Sequence, residues 1–223
     1  MTATADTADD PRLEAAGALR ALNDAFVAHD ADVELLRRIT DFSRRAIVEL
    51  GDGERRDRAA LLAAHVDGLF TGGLDIGGAE DGDQPTLVNP MTDRAVGGTT
   101  NPISADFETE VVDQEVVVRT VLGTAYEGAP GRVHGGMVAA LFDDFTAFVL
   151  PLVGTAAYTG EITVRYHRPV PIESPLEFRA RIVSHEGRKL RVTGECLAGG
   201  TVVASTEVLF ITIDFQQFGQ PTA

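Results

Sequence analysis

The sequence has one cysteine among 223 residues, and it also lacks several features that define other classes of protein. Cys196 alone cannot form an intrachain disulfide or a multi-cysteine metal site, so we interpret it as a small buried side chain in a strand. The N-terminus has neither the basic nor the apolar segment of a secretory signal. No run of about 18 uncharged apolar residues occurs, so we predict no transmembrane helix. We therefore expect a cytoplasmic protein.

Cationic side chains are also scarce. The 19 Lys and Arg residues oppose 34 Asp and Glu residues, which gives a formal net charge of −15. A field of this sign repels phosphate backbones and anionic lipids, so the composition disfavours both nucleic acid and membrane as partners. A polyanionic ligand would need a local basic patch.

The N-terminal third of the sequence predicts three helices. Pro11 starts the first, which ends near His29; Asp32 caps the second; and the third covers residues 58–69. Ala15, Leu19, Leu22 and Phe26 form one apolar stripe of the first helix, which is predicted to be amphipathic. These helices are either a packed extension or a partner-binding module.

Gly and Asp dominate residues 71–84, which indicates a flexible linker. The predicted domains are therefore an N-terminal helical extension, residues 1–75, and a second domain, residues 76–223.

After Asp106 the hydrophobic period changes to two, which predicts strands. The alternation favours one long strand over 111–121 and further strands over 157–167, 176–184, 190–197 and 202–213. Between them, residues 133–150 predict a helix that is apolar nearly all round and that Pro151 ends. Short turns make the later strands antiparallel, and the helix can hide only on the concave face of their sheet. The predicted fold class is α+β, a curved antiparallel sheet wrapped around a central helix.

The start of this helix has its own chemistry. His134, Gly135 and Gly136 occupy the first turn, where backbone N–H groups have no intrahelical partner and the helix dipole is positive. Glycine lets a ligand approach the backbone closely, so an amide here could act as an oxyanion hole. His134 could bond the same carbonyl or orient the loop. The alternative is an ordinary helix start.

Asp143 and Asp144 lie inside the same apolar helix. Burial would raise the pKa and the basicity of such a carboxylate, which suits a general base or a nucleophile. The alternative is an Asp that caps a neighbouring strand. His134 and Asp143 are nine residues apart (143 − 134), which is ~13.5 Å along a helix and too far for a dyad. They therefore do separate jobs, or a two-fold dimer brings one subunit's helix start to the partner's Asp143.

Several motifs in a fixed order resemble the hotdog-fold acyl-CoA thioesterases, in particular the phenylacetyl-CoA / 4-hydroxybenzoyl-CoA thioesterase-like branch. The resemblance covers about residues 85–215 and lies outside the N-terminal helices. The motifs that carry it are His134-Gly135-Gly136, Asp143, Thr159, Tyr166-His167-Arg168-Pro169-Val170-Pro171 and Glu186-Gly187-Arg188-Lys189-Leu190.

The resemblance implies a hotdog fold and hydrolysis of an acyl-CoA to a carboxylic acid and free CoA. In such enzymes the amide of Gly135 or Gly136 would polarise the thioester carbonyl. Asp143 would activate water or attack directly, and Thr159 would help to hold the water.

The resemblance further implies that Arg168, Arg188 and Lys189 contact the nucleotide phosphates of CoA. It implies no metal and no cofactor beyond the CoA of the substrate. We expect a homodimer or homotetramer with the active site at the subunit interface. The alternatives are a non-catalytic acyl-CoA-binding or regulatory protein of this fold and, last, a hydratase.

Overall fold

The computed structural model describes residues 10–57 and 92–213. The predicted third helix, the linker and the boundary between residues 75 and 76 lie outside these ranges.

The two N-terminal helices begin where the sequence predicts. Helix α1 spans Pro11–Ala28 and helix α2 spans Val33–Gly51. The Asp10 side chain accepts a 2.8 Å hydrogen bond from the Arg12 amide, and Asp32 accepts one of 2.7 Å from the Leu35 amide. Each cap satisfies an amide that the first helical turn leaves without a partner.

The apolar stripe of α1 is largely exposed, and another face of the helix packs against the rest of the chain. Leu19, Leu22 and Phe26 are 45%, 38% and 55% exposed, whereas Ala16 is buried and the Arg20 side chain is only 10% exposed. A hydrophobic stripe shows which face of a helix could be buried. In this structure, polar side chains on another face of α1 make the contacts that position the helix.

Within residues 10–57 and 92–213, six strands form a single sheet in the order β1-β2-β4-β5-β6-β3, and every neighbouring pair is antiparallel. Glycines form two of the short turns: Gly187 lies between β4 and β5, and Gly199 and Gly200 lie between β5 and β6, all with positive φ. The strands are β1 (Phe107–Val112), β2 (Glu115–Val121), β3 (Ala156–Tyr166), β4 (Pro175–Glu186), β5 (Lys189–Ala198) and β6 (Thr201–Ile213).

The prediction of one long strand over 111–121 is wrong. The chain reverses between β1 and β2 at Asp113 and Gln114, whose φ values are 49° and 67°. Two consecutive residues in the left-handed region are the signature of a tight hairpin turn, which usually carries Asn-Gly or Asp-Gly. Because Asp-Gln lacks the glycine and valines alternate on both sides, the turn left no clear trace in the sequence.

The central helix α3 spans Gly135–Thr146 and continues as a 3-10 helix over Ala147–Val153. Pro151 therefore lies inside the helical stretch, which ends at Gly154 with φ 59°. The side chains of α3 pack against β3 to β6 through a buried row, namely Val138, Leu141, Phe142, Phe145 and Thr146. This arrangement confirms the α+β hotdog fold.

One stretch among the described residues, Gly135–Val153, is long and apolar enough to cross a membrane by length and composition alone. It is the helix that the sheet packs around, and a core helix meets the same criterion. The phenylalanines in it fill the core: Phe142, Phe145 and Phe148 are 1%, 2% and 7% exposed.

Two residues of the strands differ in burial, namely Tyr158 of β3 and Cys196 of β5. Tyr158 is 48% exposed, unlike the phenylalanines of the helix. Cys196 is fully buried in β5, as predicted, and burial raises the pKa of its thiol to about 12.

Candidate active site

The first two amides of α3 differ in whether they donate a hydrogen bond. The Nδ1 atom of His134 caps the helix by accepting a 3.0 Å hydrogen bond from the Gly136 amide. A neutral ring in this role carries its proton on Nε2. The Gly135 amide precedes the first intrahelical bond and donates to no acceptor in the described ranges. Gly135 is thus the first-turn amide that remains available to a ligand.

Tyr166, at the end of β3, ties this helix start to the sheet. Its hydroxyl donates a 2.6 Å hydrogen bond to the Gly135 carbonyl, and the His134 amide donates one of 2.8 Å to the Tyr126 carbonyl. The two bonds hold the backbone on either side of the His134–Gly135 peptide. The amide of Gly135 therefore has a fixed direction.

Asp143 and Thr159 meet at the other end of α3. The Thr159 hydroxyl donates a 2.7 Å hydrogen bond to Asp143 Oδ1, and both side chains are exposed. Thr159 lies where β3 shifts its register against β6 between Thr159 and Glu161. Such an irregularity re-aims side chains at a strand edge. The structure thus brings together two of the residues that the sequence predicts to act together.

One carboxylate of the pair is desolvated, as the apolar helix predicts, and it is that of Asp144. The side chain of Asp144 is 16% exposed and forms a 3.2 Å ion pair with Arg94. Burial raises the pKa of Asp144, and the charge of Arg94 and a hydrogen bond from the Gly97 backbone oppose that rise. Successive residues point about 100° apart on a helix, which is why only one of the two carboxylates reaches solvent.

Comparison with known proteins bears on this arrangement. Residues 130–205, which include the start of α3, Asp143 and Thr159, match the thioesterase superfamily. A crystal structure of a thioesterase superfamily protein superposes with a TM-score of 0.70 at 25% identity, covering 91% of this chain and 96% of that one.

Two curated relatives match part of the chain. Mouse acyl-coenzyme A thioesterase THEM4 is 32% identical over 114 residues, 48% of this chain and 49% of that protein. Human acyl-coenzyme A thioesterase THEM5 is 26% identical over 99 residues, 43% of this chain and 39% of that protein. The chain therefore spans about half the length, or less, of these relatives.

The predicted phosphate-binding residues do not form one patch within a chain. The Arg168 amide donates to the Val203 carbonyl, whereas the Thr212 amide donates to the Arg188 carbonyl. These contacts are nine residues apart on β6 (212 − 203), about 30 Å along a strand. Lys189, which follows Arg188, lies at the same end as Arg188.

Three residues that contact the site or the segments next to it were not predicted to do so from the sequence. Arg94 belongs to no recognisable motif. Its guanidinium pairs with Asp144 and lies 5.1 Å from the centroid of the Phe148 ring. Tyr166 belongs to one of the motifs that carry the resemblance, but the sequence does not predict its hydrogen bond to the Gly135 carbonyl. Asp24 of α1 contacts the segment that leads to His134. Within residues 10–57 and 92–213, no cluster of three His, Cys, Asp or Glu side chains could hold a metal ion.

Proposed function

We propose that this protein hydrolyses an acyl-CoA thioester to a carboxylic acid and free CoA. The observation that carries the proposal is the exposed carboxylate of Asp143, fixed by the Thr159 hydroxyl at 2.7 Å on a helix whose start presents the Gly135 amide. The helix thus offers an electrophile-activating donor at one end and a base at the other. Both belong to a domain whose superfamily is named for thioester cleavage.

The chemistry follows from these two groups. The Gly135 amide, aided by the positive end of the α3 dipole, would stabilise the negative charge that develops on the thioester carbonyl oxygen. Asp143 would accept a proton from water as the water oxygen bonds to the carbonyl carbon. The carbon–sulfur bond then breaks, and the proton passes to the sulfur of CoA. Direct attack by Asp143, followed by hydrolysis, is the second route open to the same carboxylate.

The two groups would act together across a two-fold dimer. Strand β3 is 11 residues long and lies at the end of the sheet, with no strand of the described ranges on its other side. Antiparallel pairing of β3 with its copy would satisfy this edge, and it would run the start of one β3 alongside the end of the other. Thr159 and Asp143 of one subunit would then approach the Gly135 end of the partner.

The same symmetry would reunite the separated cations. Arg168 lies just beyond the end of β3, whereas Arg188 lies at the β4–β5 turn, across β6 from the start of β3. Reversal of direction in a two-fold dimer would bring Arg168 of one subunit towards the partner end that carries Arg188 and Lys189. A shared patch of this kind is what phosphates would require on a chain with a net charge of −15.

The test is release of free thiol from a panel of short, long and aromatic acyl-CoA thioesters. We expect turnover on at least one, and a fall of about 100-fold or more in kcat for Asp143→Asn, because general-base catalysis contributes on that scale. Asp113→Asn, in the β1–β2 turn, removes the same charge at a position where φ of 49° suits asparagine. This control should retain wild-type activity.

Two outcomes would contradict the proposal in different ways. Full activity of a folded Asp143→Asn protein would remove the role given to Asp143. Tight binding of an acyl-CoA without thiol release across the panel would instead favour the non-catalytic acyl-CoA-binding protein.

A further inference from the structure

The short 3-10 helix that precedes the His134 turn is capped from a distant part of the chain. It spans Thr124–Tyr126, and its own N-cap residue is Gly123, which has no side chain to accept a hydrogen bond. The carboxylate of Asp24 on α1 takes that place. The Ala125 amide donates a 2.9 Å hydrogen bond to Asp24 Oδ1, and the Thr124 hydroxyl donates one of 3.1 Å to the same oxygen.

The position of Gly123 leaves room for this carboxylate only because glycine has no side chain. A Cβ atom at Gly123 would lie 2.2 Å from Asp24 Oδ1 and 2.6 Å from its Cγ, which real structures do not tolerate. The φ of Gly123 is −86°, a value that any residue adopts. The missing side chain is therefore required by the space that Asp24 fills, not by the backbone conformation.

Arg20, one turn earlier on α1, anchors the same helix to a second segment. Its guanidinium donates to the carbonyls of Thr99 and Asn101 at 3.0 and 3.1 Å and pairs with Asp106 at 2.6 Å. The hydroxyl of Tyr126 donates a 2.6 Å hydrogen bond to the Ser104 carbonyl in that segment. Helix α1 thus holds both sides of the region around Tyr126.

This region bears directly on the candidate active site. The Tyr126 carbonyl accepts the 2.8 Å hydrogen bond from the His134 amide. Two residues later the chain passes so close to His134 that a Cβ at Gly128 would lie 2.8 Å from its Cα. Whatever fixes Thr124–Tyr126 therefore also fixes the residue that caps α3.

We propose that Asp24 is a positioning residue for the active site: it caps the 3-10 helix from α1 and, through Tyr126, holds His134 and the Gly135 amide in place. On this reading the N-terminal helix is part of the apparatus that aims the oxyanion-binding amide. The catalytic side of the inference rests on the proposed function, whereas the cap itself can be measured without turnover.

The experiment compares Asp24→Ala with Asp24→Asn. Alanine removes the acceptor, so we expect kcat to fall about tenfold with KM within about twofold, because a small misplacement of a catalytic donor is costly to the chemical step. Asparagine keeps an acceptor oxygen and should restore kcat to within about twofold. Asp41→Ala, an exposed position on α2, is the matched control and should leave both constants unchanged.

A double-mutant cycle tests the fit between the two residues. Gly123→Ala alone should displace the carboxylate and lower both kcat and Tm as Asp24→Ala does. In the Asp24→Ala background the same change meets no carboxylate and should cost nothing further. Additive effects of the two substitutions on Tm would show that Gly123 and Asp24 do not depend on each other and would overturn the inference.

Amide hydrogen exchange separates this inference from the proposed function. In Asp24→Ala the amides of Ala125 and His134 should exchange faster than in the wild type, and in Asp24→Asn they should not. Unchanged protection would overturn the cap, whether or not the protein turns over acyl-CoA. Lost protection with unchanged kcat in an active enzyme would overturn the positioning role. A wild type that releases no thiol would refute the proposed function and leave the cap to be decided by exchange.

Discussion

Asp143 and Asp144 are consecutive residues of one helix that lie in opposite environments. Asp143 faces solvent and accepts the Thr159 hydroxyl, whereas Asp144 is largely buried and paired with Arg94. Asp143 is accessible to a substrate, whereas the carboxylate of Asp144 is already paired with Arg94. The pair therefore divides into one residue suited to chemistry and one that fastens α3 to the segment before β1.

Thr159 offers the sharpest test of how Asp143 is held. Thr159→Val removes the hydroxyl with little change of shape, and we expect kcat for thiol release to fall about 10- to 100-fold, the value of a hydrogen bond to a charged group. Thr159→Ser keeps the hydroxyl and should remain within about threefold of the wild type. Equal activity of the valine and serine variants would show that the 2.7 Å bond has no part in turnover.

The Arg94–Asp144 pair predicts a strong dependence of each residue on the other. Arg94→Met or Asp144→Leu alone leaves a largely buried charge without its partner and should lower the free energy of unfolding by about 3 kcal/mol. The double substitution removes both charges and should return to within about 1 kcal/mol of the wild type. Urea denaturation of the four proteins measures this.

Arg119→Met is the matched control for that cycle. Arg119 also forms ion pairs, at 2.6 Å with Glu110 and 3.1 Å with Glu177, but its side chain is 48% exposed. Its replacement should change the free energy of unfolding by only about 0.5 kcal/mol. If Arg94→Met costs no more than this control, burial does not strengthen the Arg94–Asp144 interaction.

The turn between β1 and β2 can be improved. Asp113 and Gln114 both have positive φ, which Asn-Gly accommodates with less strain. Replacing the two residues by Asn-Gly should raise the free energy of unfolding by about 0.5–1 kcal/mol, measured by urea denaturation. A lower value would mean that the side chains of Asp113 and Gln114 stabilise the turn more than its backbone strains it.

Cys196 should make stability fall at alkaline pH. Burial raises the pKa of its thiol from 9.0 to about 12, so the folded protein disfavours the thiolate more than the unfolded chain does. The resulting stabilisation is complete below pH 9 and is lost as the pH rises towards 12. The stability difference between the wild type and Cys196→Ala should therefore shift on the order of 2–3 kcal/mol against the wild type from pH 8 to 11. A constant difference would contradict a buried thiol.

Local chemistry made much of this protein predictable. Asp10 and Asp32 cap helices because their side chains reach amides two or three residues on, and glycine marks the β4–β5 and β5–β6 turns because φ is positive there. The His134-Gly135-Gly136 start and the apolar run after it are likewise properties of consecutive residues. The order of motifs pointed to the hotdog fold and to Asp143 and Thr159 as two residues of one site.

Contacts between distant residues were decided only by the tertiary structure. The sequence shows that α3 carries two carboxylates, but which one is buried depends on Arg94, fifty residues earlier in the chain (144 − 94). It shows a hydrophobic stripe on α1, but Arg20 and Asp24 dock that helix by another face because their partners lie at Asp106 and Thr124. Periodicity predicts which face of a helix or strand is apolar and which is polar. Which of these faces becomes buried or forms ion pairs depends on the residues that the rest of the chain places against it.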